Sequence, residues 1–253
     1  MTPTTATLTL SLARSGGASL GLSLSTKPSD APPPPVTGAT LWLDALRPGT
    51  LFQDAARTMV AGVGDPVGSW YDPDAGIGAT ESGTARPVRA AAGLTFDGVN
   101  DFLDAAIGAR SQPETLYLVL QGTGDAAAAQ TITDSVVTLN MGRLLTADGA
   151  PFRHLTLFSG AAVENTARAY GTLVVASLVI HGASSVLRVN GAEVAANAGT
   201  NTSSGLRLGA SGGGVQAHFA GQIRMVLHYA SAHSAAERLA VETWAAARHG
   251  VTL

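Results

Sequence analysis

The last third of the chain constrains the fold most. Residues 186–194 alternate in two short runs around Asn190-Gly191, from Val186 to Val194. Asn-Gly between alternating runs is the strongest short hairpin signal, because a type I′ turn needs positive φ at both central residues. Residues 206–209 and the run from Phe219 to Tyr229 predict further strands. The period then changes. Ser234 followed by Glu237 forms a capping box, the predicted helix carries Leu239, Val241, Trp244 and Ala247 with Trp244 on its inner face, and Gly250 after His249 stops it.

Upstream, residues 40–44 read as a first strand, and Pro48 to Phe52 as a turn into the next element. Residues 66–76 carry a second strand into a tight acidic turn. Residues 94–103 predict a hairpin turning on Asp97-Gly98 and Asn100-Asp101. The runs 115–120 and 172–181 are nearly continuous apolar, as central strands covered on both faces would be. Many short strands punctuated by glycine predict an all-β, two-sheet antiparallel sandwich with a short C-terminal helix.

Ahead of this body, residues 1–27 alternate leucine with Thr, Ser or Gly, which places Leu8, Leu10, Leu12, Leu20, Leu22 and Leu24 on one face of a β-hairpin. A lone hairpin is marginal in water. Its leucines therefore need cover, either the edge of the sandwich or a partner surface, and the arm is read as a partner-docking segment. Residues 28–38 include four consecutive prolines and predict a semi-rigid polyproline II linker. The body is expected over 39–253.

Composition narrows the class. Only 13% of the 253 residues are charged, 45% are apolar and 30 are glycine, which suits a turn-rich globular chain. A formal charge of −3 without a basic stripe argues against nucleic acid as a partner. No apolar run reaches the roughly 18 residues of a membrane span, so membrane insertion is not expected. The N-terminal leucines alternate with Thr and Ser and lack the continuous apolar core of a secretory signal, so synthesis in the bacterial cytoplasm without a signal peptide is expected. The absence of cysteine excludes disulfides, thiol catalysis and thiolate metal sites.

The order of motifs from residue 39 to the C-terminus resembles a concanavalin A-like, laminin G-like jelly roll of phage and bacterial surface proteins. The resemblance rests on Leu41 to Asp44 with Leu51 to Asp54, Val67 to Asp72, Ala85 to Pro87 and Leu94 to Leu103. It continues through Val189 to Gly191, Phe219 to Ile223, Tyr229 and the helix from Ser234. It implies a virion, head or tail component (spike, fibre or decoration protein) displayed on a phage-like particle, held to other particle proteins through the arm. A homo-oligomer that binds cell-surface polysaccharide for host attachment is the corresponding expectation.

Catalytic members of the broader group hydrolyse glycans with two carboxylates on one strand, and retaining hydrolysis needs them about 5 Å apart. None of Glu81, Glu114, Glu164, Glu193, Glu237 and Glu242 has another acid two residues away. The six histidines fall singly, His181 and His228 within apolar strands, and no Gly-x-Ser-x-Gly elbow occurs. No enzyme and no catalytic residue are therefore expected. A glycan-degrading enzyme with an atypical site assembled from distant residues, or a purely structural capsid or tail stabiliser, are the alternatives.

For carbohydrate, the candidate contacts are Trp70 and Tyr71, which point to opposite faces of one strand, and Phe102 beside the Asn100-Asp101 turn. Trp42 and Trp244 are expected in the core. No cofactor is expected. Calcium is the one ion the acidic turns suit, with Asp72 and Asp74 as weak candidate ligands, although such residues more often bond their own backbone.

Overall fold

The computed structural model describes residues 32–123, 130–137, 143–146, 154–166, 171–212 and 217–253. The leucine arm, Leu8 to Leu24, lies outside them. The strands are β1 (Leu41–Asp44), β2 (Leu51–Phe52), β3 (Ser69–Asp72), β4 (Ile77–Thr80), β5 (Val88–Arg89), β6 (Leu94–Asp97), β7 (Leu103–Arg110) and β8 (Glu114–Gly122). After these come β9 (Gln130–Asp134), β10 (Arg143–Thr146), β11 (Leu155–Phe158), β12 (Ala162–Asn165), β13 (Val174–Ile180), β14 (Ser185–Val189), β15 (Ala192–Ala196), β16 (Ser203–Leu208) and β17 (Ala220–Tyr229). Helix α1 spans Ala235–His249.

Two antiparallel sheets result. One runs β15-β14-β13-β8-β17-β6-β5, and β1 pairs with the C-terminal half of β17. The other runs β12-β11-β10-β9-β16-β7-β4-β3-β2. Between them lies the main core, which includes Leu43, Trp70, Phe96, Leu118, Leu178 and Leu206. The first sheet is apolar on its other face too. Trp42, Tyr117, Val175, Leu227 and Tyr229 form a second core beneath α1, to which the helix contributes Val241, Ala245 and Ala246. Strand alternation explains the pairing of neighbours: Leu43 faces the second sheet while Trp42 faces the helix. The two continuous apolar runs form β8, buried but for Gln121, and the wholly buried β13.

The expected C-terminal elements are present. Asn190 and Gly191 have φ of 45° and 80°, as a type I′ turn needs. Ser234 and Glu237 close the capping box, and Gly250 ends α1 in the left-handed conformation. The inner face of α1 differs from the predicted one. Leu239 is 54% exposed, and Arg238, Glu242 and His249 are buried beside the small apolar residues. Trp244 is half-buried at the helix margin, edge-on to Trp42 at 5.9 Å.

Charge rather than bulk apolar contact registers this helix. Glu242 accepts from Arg188 Nε at 2.9 Å and from the Ser177 hydroxyl at 2.5 Å. Arg188 and Arg238 both reach Glu193, at 2.8 and 3.1 Å. At the other end Arg248 pairs with buried Asp44. The end of the proline segment is held as well: Trp244 Nε1 donates to the Pro32 carbonyl at 3.1 Å and the Tyr229 hydroxyl to the Val36 carbonyl at 2.8 Å. Residues 32–36 are thus part of the helix-side layer and not a free spacer.

A second expectation is corrected. Residues 94–103 do not form a hairpin, because β6 belongs to one sheet and β7 to the other. Asp97 Oδ1 accepts the Val99 and Asn100 N–H groups at 2.7 and 3.1 Å, and Asp101 Oδ2 accepts the Asp97 N–H at 2.9 Å. These bonds turn the chain from one layer to the next instead of folding it back within a sheet.

Buried His249 makes stability pH-dependent. Its ring nitrogens have no hydrogen-bond partner among the described residues, and Asp44 Oδ1 is 3.6 Å away. Burial lowers its pKa from 6.5 to about 4, against the opposing pull of Asp44. The folded state therefore holds the neutral ring, while the unfolded chain takes up a proton below its ordinary pKa. This contribution is complete above about pH 6.5 and fades as the pH falls toward 4, by up to roughly 3 kcal/mol. Urea denaturation across that range should show the loss, and His249→Leu should flatten its slope.

Candidate functional site

The outer face of the nine-stranded sheet carries an open hollow, and an irregularity in strand pairing creates it. Between β7 and β16, Ser204 pairs with Ala109 and Leu206 with Ala105, so three residues of β7, Ala106 to Gly108, stand opposite the single Gly205. Such bulges bend a strand and re-aim its side chains. Gly205 has φ of 68°, and a Cβ there would meet Val136 Cγ2 at 2.7 Å and the Ala105 carbonyl at 3.0 Å. Glycine is required here by conformation and by space. The groove has a volume of about 470 Å³ and is lined by Thr80, Asp104, Ala106, Val136, Ser204 and Gly205, among others.

Its charged wall is locked. Arg207 on β16 lies opposite Asp104 on β7 and donates from Nε and Nη2 to both carboxylate oxygens at 2.7 Å. The third arm, Nη1, reaches the Ser211 carbonyl at 3.1 Å. The guanidinium sits 4.7 Å over the Phe102 ring. Arg207 is buried, while Asp104 keeps 26% of its side chain exposed and is the acceptor presented to the groove. Fork-on-fork geometry of this kind fixes orientation as well as charge.

The residues expected at a carbohydrate site have different positions. Trp70 is fully buried in the main core, opposite in direction to Tyr71, and offers no stacking face. Tyr71 points outward, but Arg57 covers its ring at 3.9 Å. Phe102 is half-buried beneath Arg207. Asn100 is exposed on the β6–β7 loop, whereas Asp101 is buried with its carboxylate turned back on the Asp97 N–H. Burial, with the neighbouring Asp97 charge, raises the Asp101 carboxyl, and the Asp97 N–H opposes this only in part. Of the five, Phe102 alone leads directly to the groove, through Arg207 and Asp104.

The acidic turn at Asp72 and Asp74 already holds a cation, the Arg47 guanidinium. Arg47 Nη1 lies 3.2 Å from Asp72 Oδ1, and Nη2 lies 2.8 Å from Asp74 Oδ2. Asp72 Oδ2 also accepts the Trp42 N–H at 2.7 Å, and Oδ1 the Asp74 N–H at 3.0 Å. The turn joins β1 to β3 and leaves calcium no free ligand set at Asp72. Among the described residues no group of three or more His, Asp or Glu side chains is placed to hold a metal ion.

The sequence reading missed Asp104, Arg207 and Gly205. Asp104 stands between the core residues Leu103 and Ala105, so alternation alone aims it outward. Gly205 inside a strand pattern is a bulge signal. What no local pattern shows is that β7 and β16, a hundred residues apart, lie side by side.

No protein-family model matches the chain, and no curated protein sequence matches it. Solved structures do resemble its fold. Trypanosoma rangeli sialidase superposes with a TM-score of 0.58 at 12% identity, covering 87% of this chain and 34% of the sialidase. The same enzyme in complex with sialic acid gives 0.59 at 12% identity, over 87% and 35%. Domain 4 of AbnA, an extracellular GH43 arabinanase from Geobacillus stearothermophilus bound to arabinotriose, gives 0.48 at 12% identity, over 64% and 83%, a superposition too loose to argue from. The chain thus spans about a third of the sialidase chains it matches, and what it shares with them is the β-sandwich fold.

Removing Arg47 tests the reading of the acidic turn. Arg47→Leu leaves Asp72 buried without its cation and should cost about 3–5 kcal/mol in urea denaturation. The melting temperature of the unaltered protein should be the same in millimolar calcium as in chelator; a rise with calcium would reinstate the metal site.

Proposed function

We propose that the chain is a non-catalytic carbohydrate-binding sandwich that receives a glycan in the groove over the β7–β16 bulge. One observation carries this reading: an open hollow on an exposed sheet, floored by Ala106 and Gly205 and edged by Asp104, Thr80 and Ser204. Small residues let the C–H face of a sugar ring approach the backbone closely, while the polar edge meets its hydroxyls. The fold likeness to a sialidase crystallised with sialic acid supports a glycan as the ligand class.

The way two carboxylates near the groove are used supports binding over cleavage. Asp104 gives both oxygens to Arg207, and Asp134, which pairs across Arg207 on β9, is buried and accepts the N–H groups of Ser135 and Gly212 at 2.8 and 2.9 Å. Glycoside hydrolysis by a carboxyl pair needs one carboxyl that can donate a proton and a second free to attack or to activate water. Neither role is open to these two. In its finer form the proposal places the protein on the surface of a phage-like particle as an attachment or decoration component, with residues 1–27 as the docking arm and a symmetric oligomer as the working unit.

The test is a pull-down of the full chain on a panel of bacterial surface polysaccharides, scored for retention and for shortened products. Retention without shortening is expected, and Ala106→Trp, which fills the groove from an exposed position, should weaken it at least tenfold. Release of shortened products would overturn the non-catalytic reading. Retention unaffected by Ala106→Trp would move the site elsewhere.

A further inference from the structure

The same bulge has a second side. Ile107 and Arg110 turn away from the groove and line a separate hollow of about 270 Å³ with Thr40, Gln112, Pro113 and Glu114; His228 also borders it. Three sequence-distant polar residues meet there. Glu114 opens β8, His228 lies near the end of β17, and Thr40 directly precedes β1. The His228 ring donates from Nε2 to Glu114 Oε2 at 3.0 Å, and Arg110 Nη1 donates to the same oxygen at 2.5 Å. Because Glu114 can only accept while ionised, the proton sits on Nε2, and His228 Nδ1 accepts from the Thr40 hydroxyl.

Glu114 is the unusual member. Its side chain is 6% exposed, and Arg110 and His228 both bind Oε2. Oε1 has no hydrogen-bond partner among the described residues, and it is not among the fully occluded unpaired atoms. Burial alone would raise this carboxyl, but His228 and Arg110 outweigh it and hold Glu114 below the ordinary glutamate range. The hollow therefore contains a fixed carboxylate with one oxygen available, an exposed hydroxyl at Thr40, an exposed hydroxyl at Ser111, and apolar wall from Ile107, Pro113 and Ala230.

The order hydroxyl, imidazole, carboxylate is also that of a nucleophilic relay. Here the Thr40 N–H is used by the His228 carbonyl at 2.8 Å, and the Thr40 hydroxyl lies 3.2 Å from that carbonyl as well. The amide beside the hydroxyl is thus not free to hold an oxyanion, which acyl transfer needs.

We propose that this hollow binds a single neutral pyranose, the end unit of a glycan, with Glu114 Oε1 accepting from its hydroxyls. Its volume falls below the roughly 300–1,000 Å³ of sites for larger ligands, so it fits one ring and not a chain. Sugar hydroxyls supply the donors that Oε1 lacks. A sugar carboxylate supplies none and would face the Glu114 charge, while the Arg110 cation in the lining is already held by Glu114 Oε2 and the Gly205 carbonyl, so the hollow selects against sialic and uronic acids. Ala109 borders both hollows, which lets one glycan lie in the groove with its terminal ring here. That continuity rests on the glycan reading of the groove, whereas occupancy of the hollow by a single ring does not.

The experiment is a titration of the full chain with methyl glycosides of glucose, galactose and mannose, and separately with N-acetylneuraminic and glucuronic acids, followed by saturation-transfer NMR. At least one neutral glycoside should bind, and neither acid should. Glu114→Gln should weaken that binding at least tenfold. Ser111→Trp, which plugs the hollow from an exposed position, should do the same with an unchanged melting temperature, so that a folding defect in the first variant does not decide the matter. Binding of the acids as well as the neutral sugars, or insensitivity to Ser111→Trp, would overturn the proposal. Polysaccharide retention by a protein that binds no monosaccharide would sink this inference and leave the groove reading standing; monosaccharide binding without polysaccharide retention would do the reverse.

Discussion

Strands β8, β13 and β17 bury side chains on both faces, and each face of their sheet needs its own cover. Burial of apolar area is the main favourable term in folding, so an uncovered Tyr117 or Leu227 would be a large loss. The nine-stranded sheet covers one side. On the other, among the described residues, helix α1 and the segment from Pro32 to Ala39 provide the cover. The second sheet is buried on both faces along β9, but β7 alternates buried and exposed positions, which leaves the outer surface there open.

Helix α1 covers its share with little apolar bulk, since Val241, Ala245 and Ala246 are its main core residues. Register comes from ions. Glu242, Arg188, Glu193 and Arg238 form one connected network, and Arg248 with Asp44 anchors the far end. Such buried pairs add little net stability over apolar packing, but breaking one leaves an uncompensated charge. That asymmetry suits a helix that must lie in one orientation on a sheet whose apolar surface alone would accept several.

The parts of this fold that rest on local chemistry were legible in the residues. Asn190-Gly191 dictates its turn through φ, Ser234 and Glu237 dictate the helix start, and the two continuous apolar runs become the two central strands. Readings that needed to know a neighbour were not legible. Residues 94–103 look like a hairpin because an Asp-Gly, Asn-Asp stretch turns a chain whether it returns to the same sheet or crosses to the other. Leu239 looks like a core residue because the ionic inner face of α1 is defined by Arg188 and Glu193, fifty positions upstream. Among the candidate site residues, Phe102 lies beneath Arg207 beside the groove, while Trp70 faces inward because alternation alone does not say which of two adjacent aromatics looks out.

The bulge between β7 and β16 opens a groove without interrupting the core. Leu103, Ala105, Leu206 and Leu208 stay in register on the buried face, so the main core is continuous through the irregular stretch. The two surplus residues leave that register intact: Ala106 and Gly108 line the groove, and Ile107 packs against the core and borders the second hollow. Arg110 then closes the loop by donating to the Gly205 carbonyl at 2.9 Å while it holds Glu114. One backbone carbonyl and one carboxylate, bridged by a single guanidinium, tie the groove floor to the acceptor in the hollow.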